Sequence, residues 1–240
     1  MAAYTDPADE PPWAMQLAVQ VEKSAPPTHR AVCEAAAMAV VRLLTDPRST
    51  EPEGPWHERV RRWESGRIRK VARRGRGIRW REAQELPGVT VDHDGARVRA
   101  FVPGPVDRVP PPLAKMQVAG LELEREEPKP PPEPPYAALA LNPEVTMSTG
   151  KSAAQCGHAA QLLLRRGRAQ DVAAWVAAGA PVHLTAGLPW RECVRRAVVS
   201  VRDAGFTEVP PGTTTAVAWL ETGRPPEPHR PLWRRLWPWR

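Results

Sequence analysis

The sequence predicts an α/β protein in which a mixed four-stranded sheet flanked by helices occurs twice in tandem, forming a pseudo-dimer within one chain. Short apolar runs, the right length for buried strands, alternate with longer Ala- and Leu-rich stretches of helical spacing. The run E-E-P-K-P-P-P-E-P-P (126–135) puts six prolines in ten residues and divides the 240-residue chain. On either side of it the same order of segments recurs with matching short motifs.

The second half shows the order more clearly. Ala137 to Leu141 is a short apolar run that suits a buried strand. A turn-like stretch (142–150) leads into a helix over 151–166, and a second helix covers 169–178. Val182-His183-Leu184 predicts another strand. Residues 190–204 read as a further helix, with Cys193, Ala197 and Val201 at helical spacing. The β-prone run 213–220 predicts the last strand.

In the first half, 15–21 is a strand, Pro26-Pro27-Thr28 a turn and 30–44 a helix. Three echoes tie the halves together. A-V-C-E-A-A-A around Cys33 matches A-Q-C-G-H-A-A around Cys156, R-W-R-E (79–82) matches P-W-R-E (189–192), and V-P-P-P-L-A-K (109–115) matches V-P-P-G-T-T-T (209–215). The resulting division is a disordered N-terminus (1–12), a first domain (13–125), a stiff proline-rich linker (126–135), a second domain (136–223) and a Pro/Arg/Trp tail (224–240).

Composition narrows the function classes. Hydrophobic residues make up 42% of the chain, enough for a packed core, and the formal net charge is +7. Such a charge favours a polyanionic partner, although an Arg-rich, Lys-poor usage also follows from a GC-rich genome. Three scattered cysteines, Cys33, Cys156 and Cys193, with no paired Cys/His spacing, predict neither a disulfide framework nor a metal site. No cofactor motif is present. The polar start and the lack of any run of about 18 apolar residues predict a soluble, cytoplasmic protein without stable membrane association.

Two clusters in the second half carry chemistry. In T-G-K-S-A-A-Q-C-G-H-A (149–159), Gly150 and Lys151 stand at the head of a helix, where outward amides and the helix dipole attract anions. A triphosphate-binding loop would need glycine five residues before Gly150, and Val145 stands there. In D-A-G-F-T-E-V-P-P-G-T-T-T (203–215), Asp203 is read as closing a helix, with Gly205 as cap and Pro211-Gly212 as the turn into a strand. Taken alone, this cluster reads more readily as a simple helix cap than as a carboxylate and hydroxyls gathered for polar chemistry.

Together, in this order, the two clusters resemble those of the type 2 (archaeal and eukaryotic) peptidyl-tRNA hydrolase family, over residues 136–221. The resemblance implies metal-independent hydrolysis of the ester joining a peptide to tRNA. It implies Lys151, Asp203, Thr207 and Thr215 as catalytic residues, with Gly150, Gln155, His158, Gly212 and Thr213 binding substrate. Lys151 would contact phosphate or the developing oxyanion, Asp203 would orient Lys151 or a water, and the threonines would position that water. The family usually has a second lysine at Thr149, an Arg-x-Asp element at Asn142-Pro143-Glu144, arginine at Phe206 and glutamine at Glu208. Two cations are thus lost and an anion gained. The implied partner is peptidyl-tRNA through its acceptor end. A non-catalytic tRNA- or RNA-binding protein of the same fold is the alternative.

The echo at Cys33 puts Thr28 where Lys151 stands, and no Asp-Ala-Gly counterpart is evident, so the first half reads as a degenerate copy. Its basic stretch 59–81 holds ten arginines and Lys70, with Glu64 as the lone acid. Arg69, Lys70, Arg73, Arg74 and Arg76 are the candidate nucleic-acid contacts, through phosphates rather than bases. The tail P-L-W-R-R-L-W-P-W-R (231–240) suits base stacking, an interfacial membrane anchor, or a segment folded over an apolar groove. A monomeric pseudo-dimer is expected rather than a homodimer.

Overall fold

The structure is a computed structural model that describes residues 11–205 and 208–223. The disorder expected over most of 1–12, Thr207 and the Trp/Arg tail lie outside the described residues. The first half contains β1 (Trp13–Gln20), α1 (His29–Thr45), α2 (Pro47–Thr50), α3 (His57–Ser65), β2 (Arg69–Gly75), α4 (Gly77–Gln84), β3 (Gly88–His93), β4 (Ala96–Phe101), β5 (Gly104–Pro105) and α5 (Pro111–Ala114). The second contains β6 (Tyr136–Leu141), α6 (Thr149–Arg166), α7 (Ala169–Ala177), β7 (Val182–Leu184), α8 (Trp190–Arg196), β8 (Val199–Arg202) and β9 (Thr214–Glu221).

The strands form two mixed sheets with the same order, β2-β1-β4-β3 and β7-β6-β9-β8. In each, the first strand runs parallel to the second and antiparallel to the last, and the third pairs antiparallel at the edge. The first sheet has five strands rather than four. Past the end of β4, Gly104 and Pro105 return beside Ala14 and Trp13 as β5.

Two expectations are corrected. The helix expected over 190–204 stops at Arg196, and Val199–Arg202 is an edge strand with alternating burial paired to β9. Cys193, Ala197 and Val201 mimic helical spacing, but the β-branched run Val198-Val199-Ser200-Val201 favours a strand. Asp203 therefore follows a strand, not a helix. The third echo also fails. Residues 209–215 join β8 to β9, whereas 109–115 lie beyond β4 and β5 and contain α5. The Trp-Arg-Glu echo holds in space, because α4 and α8 each follow the parallel edge strand of their sheet.

Side-chain alternation makes the layers. Met15, Leu17 and Val19 of β1, and Ala137 and Leu139 of β6, point into a core that also takes in α1 and α6. The opposite faces carry Ala18, covered by Trp80 and Leu113, and Tyr136, Ala138 and Ala140, covered by Cys193 and Trp190. The two long helices are thus packed together between the two sheets, with smaller helices outside. α1 packs on β3 and β4 and also on β7, while α6 packs on β6, β8 and β9 and also on β2.

Burial on nearly all sides explains why α1 is apolar almost throughout, from Ala31 to Leu44. Small residues let the helices approach closely. A β-carbon on Gly157 would come within 3.1 Å of Val40 Cγ2 and 3.2 Å of Lys70 Cδ. The thiols of Cys33 and Cys156 meet in this seam, where burial, and then the neighbouring thiol, pushes Cys33 well above the usual thiol range.

The proline-rich run has no regular secondary structure, but it is held against the body. Leu121 just before it is buried, and Glu126 and Lys129 pair with Arg30 and Asp94. No helix among the described residues is long and apolar enough to cross a membrane.

Candidate active site

The loop between β6 and α6 is pinned to β9, since Asn142 donates its backbone N–H to Thr215 O (2.9 Å) and its side-chain amide to Thr214 O (2.8 Å). Ser148 then caps α6 by accepting the Lys151 N–H at 3.1 Å. This fixes Lys151 in the first turn, at the positive end of the helix dipole. Across from it, the β8–β9 register shifts between Val201 and Arg202, an irregularity that re-aims the chain just before Asp203. Asp203 is held by its backbone to Thr213 O (2.9 Å) and Gly212 N (2.7 Å), with Gly212 in the left-handed region at φ +83°.

Four sequence-expected residues meet here. Asp203 Oδ2 accepts from Lys151 Nζ at 2.5 Å and from Gln155 Nε2 at 2.7 Å, while Oδ1 accepts the Gly205 N–H at 2.8 Å. Thr215 donates to Gln155 Oε1 at 2.8 Å. Asp203, Gln155 and Thr215 are buried, and Lys151 keeps 13% of its side chain exposed. Both carboxylate oxygens thus accept within the protein, one of them from the Lys151 ammonium. Thr215, fully buried, locks Gln155 in place.

The other expected residues divide. Gly150 lies against Ala72 of β2 and Leu121, and donates its N–H to Leu121 O at 3.4 Å. Gly212 and Thr213 act through their backbones on Asp203. His158 turns away to the first half, with Nδ1 3.2 Å from Lys70 Nζ, and burial followed by the Lys70 and Lys151 charges pushes its pKa well below the usual range.

Glu208 accepts from both the N–H (2.8 Å) and the hydroxyl (2.6 Å) of Ser148. The extra carboxylate of the rim thus sits at the α6 N-terminus, where negative charge is favoured. Glu208 was noted from sequence only as a departure from the family pattern, and Ser148 was not singled out, although a serine three residues before Lys151 is a recognisable cap signal.

The candidate phosphate contacts also divide. Lys70 and Arg73 are each only 9% exposed. Lys70 Nζ donates to Gln161 Oε1 (2.5 Å) over the Trp63 ring, and burial lowers its pKa strongly. Arg73 donates to Gln16 Oε1 (2.8 Å) and to Leu113 O (3.2 Å). Both are turned to internal partners, Lys70 on the face of β2 that α6 covers and Arg73 on the opposite face, beneath Leu113 and Met116. Arg69 and Arg74 are half-buried, and Arg76 is exposed.

The first half carries a related arrangement at another register. Arg30, in the first turn of α1, pairs with Asp94 in the β3–β4 turn and with Glu34 four residues on (2.5 Å). In the second half Lys151 of α6 pairs with Asp203, and Gln155, four residues on, bonds that carboxylate. This arrangement is closed over in the first half: Glu126 reaches Arg30, and Lys129 pairs with Asp94 at 2.5 Å. The Lys129 and Arg30 bonds bring Asp94 down to about 2. Glu34 also accepts from Leu184 N (2.8 Å) and lies 2.8 Å from His93 Nε2.

Comparison with protein-family models, curated proteins and solved structures found no significant match to this chain.

Proposed function

We propose that this chain is a metal-independent peptidyl-tRNA hydrolase, cleaving the ester between peptide and tRNA at Lys151, and acting as a cytoplasmic monomer in which the first half replaces a partner subunit. The observation that carries the reading is the meeting of both sequence clusters at one point. Lys151 stands at a helix N-terminus, held by Asp203 and Gln155, with its ammonium the exposed end of an otherwise buried network.

Hydrolysis adds water to the ester carbonyl and returns a proton to the departing ribose hydroxyl, giving free peptide and tRNA. Negative charge develops on the carbonyl oxygen, and a fixed ammonium backed by helix amides stabilises it. Asp203 is a positioning group in this scheme, with Gln155 and Thr215 fixing it. Thr207, by the resemblance, would position the water. The equal strand order of the two sheets and the paired α1–α6 seam support the pseudo-dimer.

A second reading, tRNA binding without turnover, is favoured by one observation: both Asp203 oxygens and the Thr215 hydroxyl are engaged within the protein. Release of an N-blocked aminoacyl group from tRNA separates the two readings. Under the hydrolase reading, Lys151→Ala and Asp203→Asn each lose on the order of a hundredfold or more in turnover. Retained tRNA binding with no turnover by the unaltered protein would replace the first reading with the second.

A further inference from the structure

A cleft of about 620 Å³ opens in the first half at the C-terminal ends of the parallel strands β1 and β2. That end of a parallel pair is where open α/β sheets leave a crevice for ligands. Lys23, Arg74, Arg76 and Arg79 line it, against Glu22 and Glu122. None of the four cations pairs with a carboxylate among the described residues. Arg74 bonds Gln117 Oε1 (2.8 Å) and Arg79 bonds Lys115 O (2.9 Å), so each guanidinium keeps further donors. Glu22 is turned inward to Gln20 Nε2 (3.1 Å) and Gly77 N (3.4 Å).

One wall of the cleft runs to the candidate active site. Gln117 pairs with Arg74 at the β2 edge. A few residues on, Leu121 O accepts from Gly150 N, and Leu123, which lines the cleft, donates its N–H to Thr149 Oγ1 at 3.1 Å. Thr149 and Gly150 immediately precede Lys151. The cleft wall at Leu123 thus abuts the first turn of α6, which holds the lysine.

We infer that this cleft holds the sugar–phosphate backbone of the tRNA whose ester end lies at Lys151, with Lys23, Arg74, Arg76 and Arg79 as its phosphate contacts. The inference rests on the hydrolase reading for the position of the ester end. It reassigns affinity away from Lys70 and Arg73, which face inward, and adds Lys23 and Arg79. Phosphate contacts of this kind give affinity without base specificity and make it salt-dependent.

The test uses the full chain and compares two triple variants of equal charge loss. One is Lys23→Ala/Arg76→Ala/Arg79→Ala in the cleft, and the other is Arg61→Ala/Arg97→Ala/Arg195→Ala on exposed surface elsewhere. Binding of deacylated tRNA is measured against salt concentration, alongside release from N-blocked aminoacyl-tRNA and from N-blocked aminoacyl-adenosine. The cleft variant is expected to bind tRNA at least about tenfold more weakly, with a salt slope reduced by about 2 to 3. It should hydrolyse the adenosine ester at the unaltered rate, while the surface variant keeps its slope.

Equal slopes in the two variants, or no measurable tRNA binding by the unaltered protein, overturn the inference. No release from either ester by the unaltered protein, with cleft-dependent binding intact, overturns the hydrolase reading and leaves the cleft as the tRNA site.

Discussion

Asp203 and Thr215 act on Lys151 in different ways, and their variants should separate accordingly. The Thr215 hydroxyl is buried and supplies the donor for Gln155 Oε1. Thr215→Val leaves that oxygen buried without a partner, a loss of roughly 1–3 kcal/mol in stability by urea denaturation, whereas Thr215→Ser keeps most of it. His29 gives a pH signature. Its Nδ1 lies 3.0 Å from Thr149 Oγ1, and burial, then the Arg125 charge, brings its pKa down to about 4. The unfolded chain binds this proton more readily than the folded one, so the contribution of His29 is full above about 6.5 and is lost as pH falls toward about 4. His158 and His183 shift in the same direction. His29→Asn should therefore flatten part of the acid limb of a stability–pH curve while leaving stability above pH 7 less pH-dependent than below it.

At the scale of elements, the seam between α1 and α6 governs how the halves fit. Gly157→Val would drive side-chain carbons into Val40 and Lys70 and cost about 1–3 kcal/mol by overpacking, read as a lower denaturation midpoint. Much of this layer was legible in the sequence. The strands β1, β6, β7 and β9 and the helices α1 and α6 are long or strongly patterned, and their caps and apolar runs mark them. β8 was hidden because four residues of edge strand carry too short an alternation to outweigh a chance helical spacing. The hairpin β3–β4 was also legible and passed unnoticed: Val89-Thr90-Val91-Asp92 and Arg97-Val98-Arg99-Ala100 alternate as half-buried strands do, on either side of the turn-forming Asp94-Gly95. Cys33 and Cys156 meet across the seam, and each half pairs a cation in the first turn of its long helix with a carboxylate, Arg30 with Asp94 and Lys151 with Asp203. The short motifs did not show this, since the two cations differ in type and each carboxylate lies more than fifty residues from its cation along the chain.

Over the whole molecule, one continuous apolar core takes in both sheets and both central helices. Unfolding one half would expose the other's helix, so urea denaturation followed by tryptophan fluorescence and by far-UV circular dichroism should give one coincident transition. Residues 136–223 expressed alone would present the apolar face of α6 to water and should aggregate or remain unfolded. The pseudo-dimer reading expects the full chain to sediment as a 26.5 kDa monomer, and a tight symmetric dimer would count against it.

The contacts of Glu126 and Lys129 with Arg30 and Asp94 bear on how far the chain needs to be continuous. The segment that joins the halves is clasped by the first half before it reaches the second, and the second is retained by the shared core rather than by its tether. Backbone continuity within the prolines after Lys129 would then be dispensable once assembly is complete. Two co-expressed polypeptides, 1–131 and 132–240, should copurify as a stoichiometric pair and behave as a split protein, each supplying the surface that the other lacks.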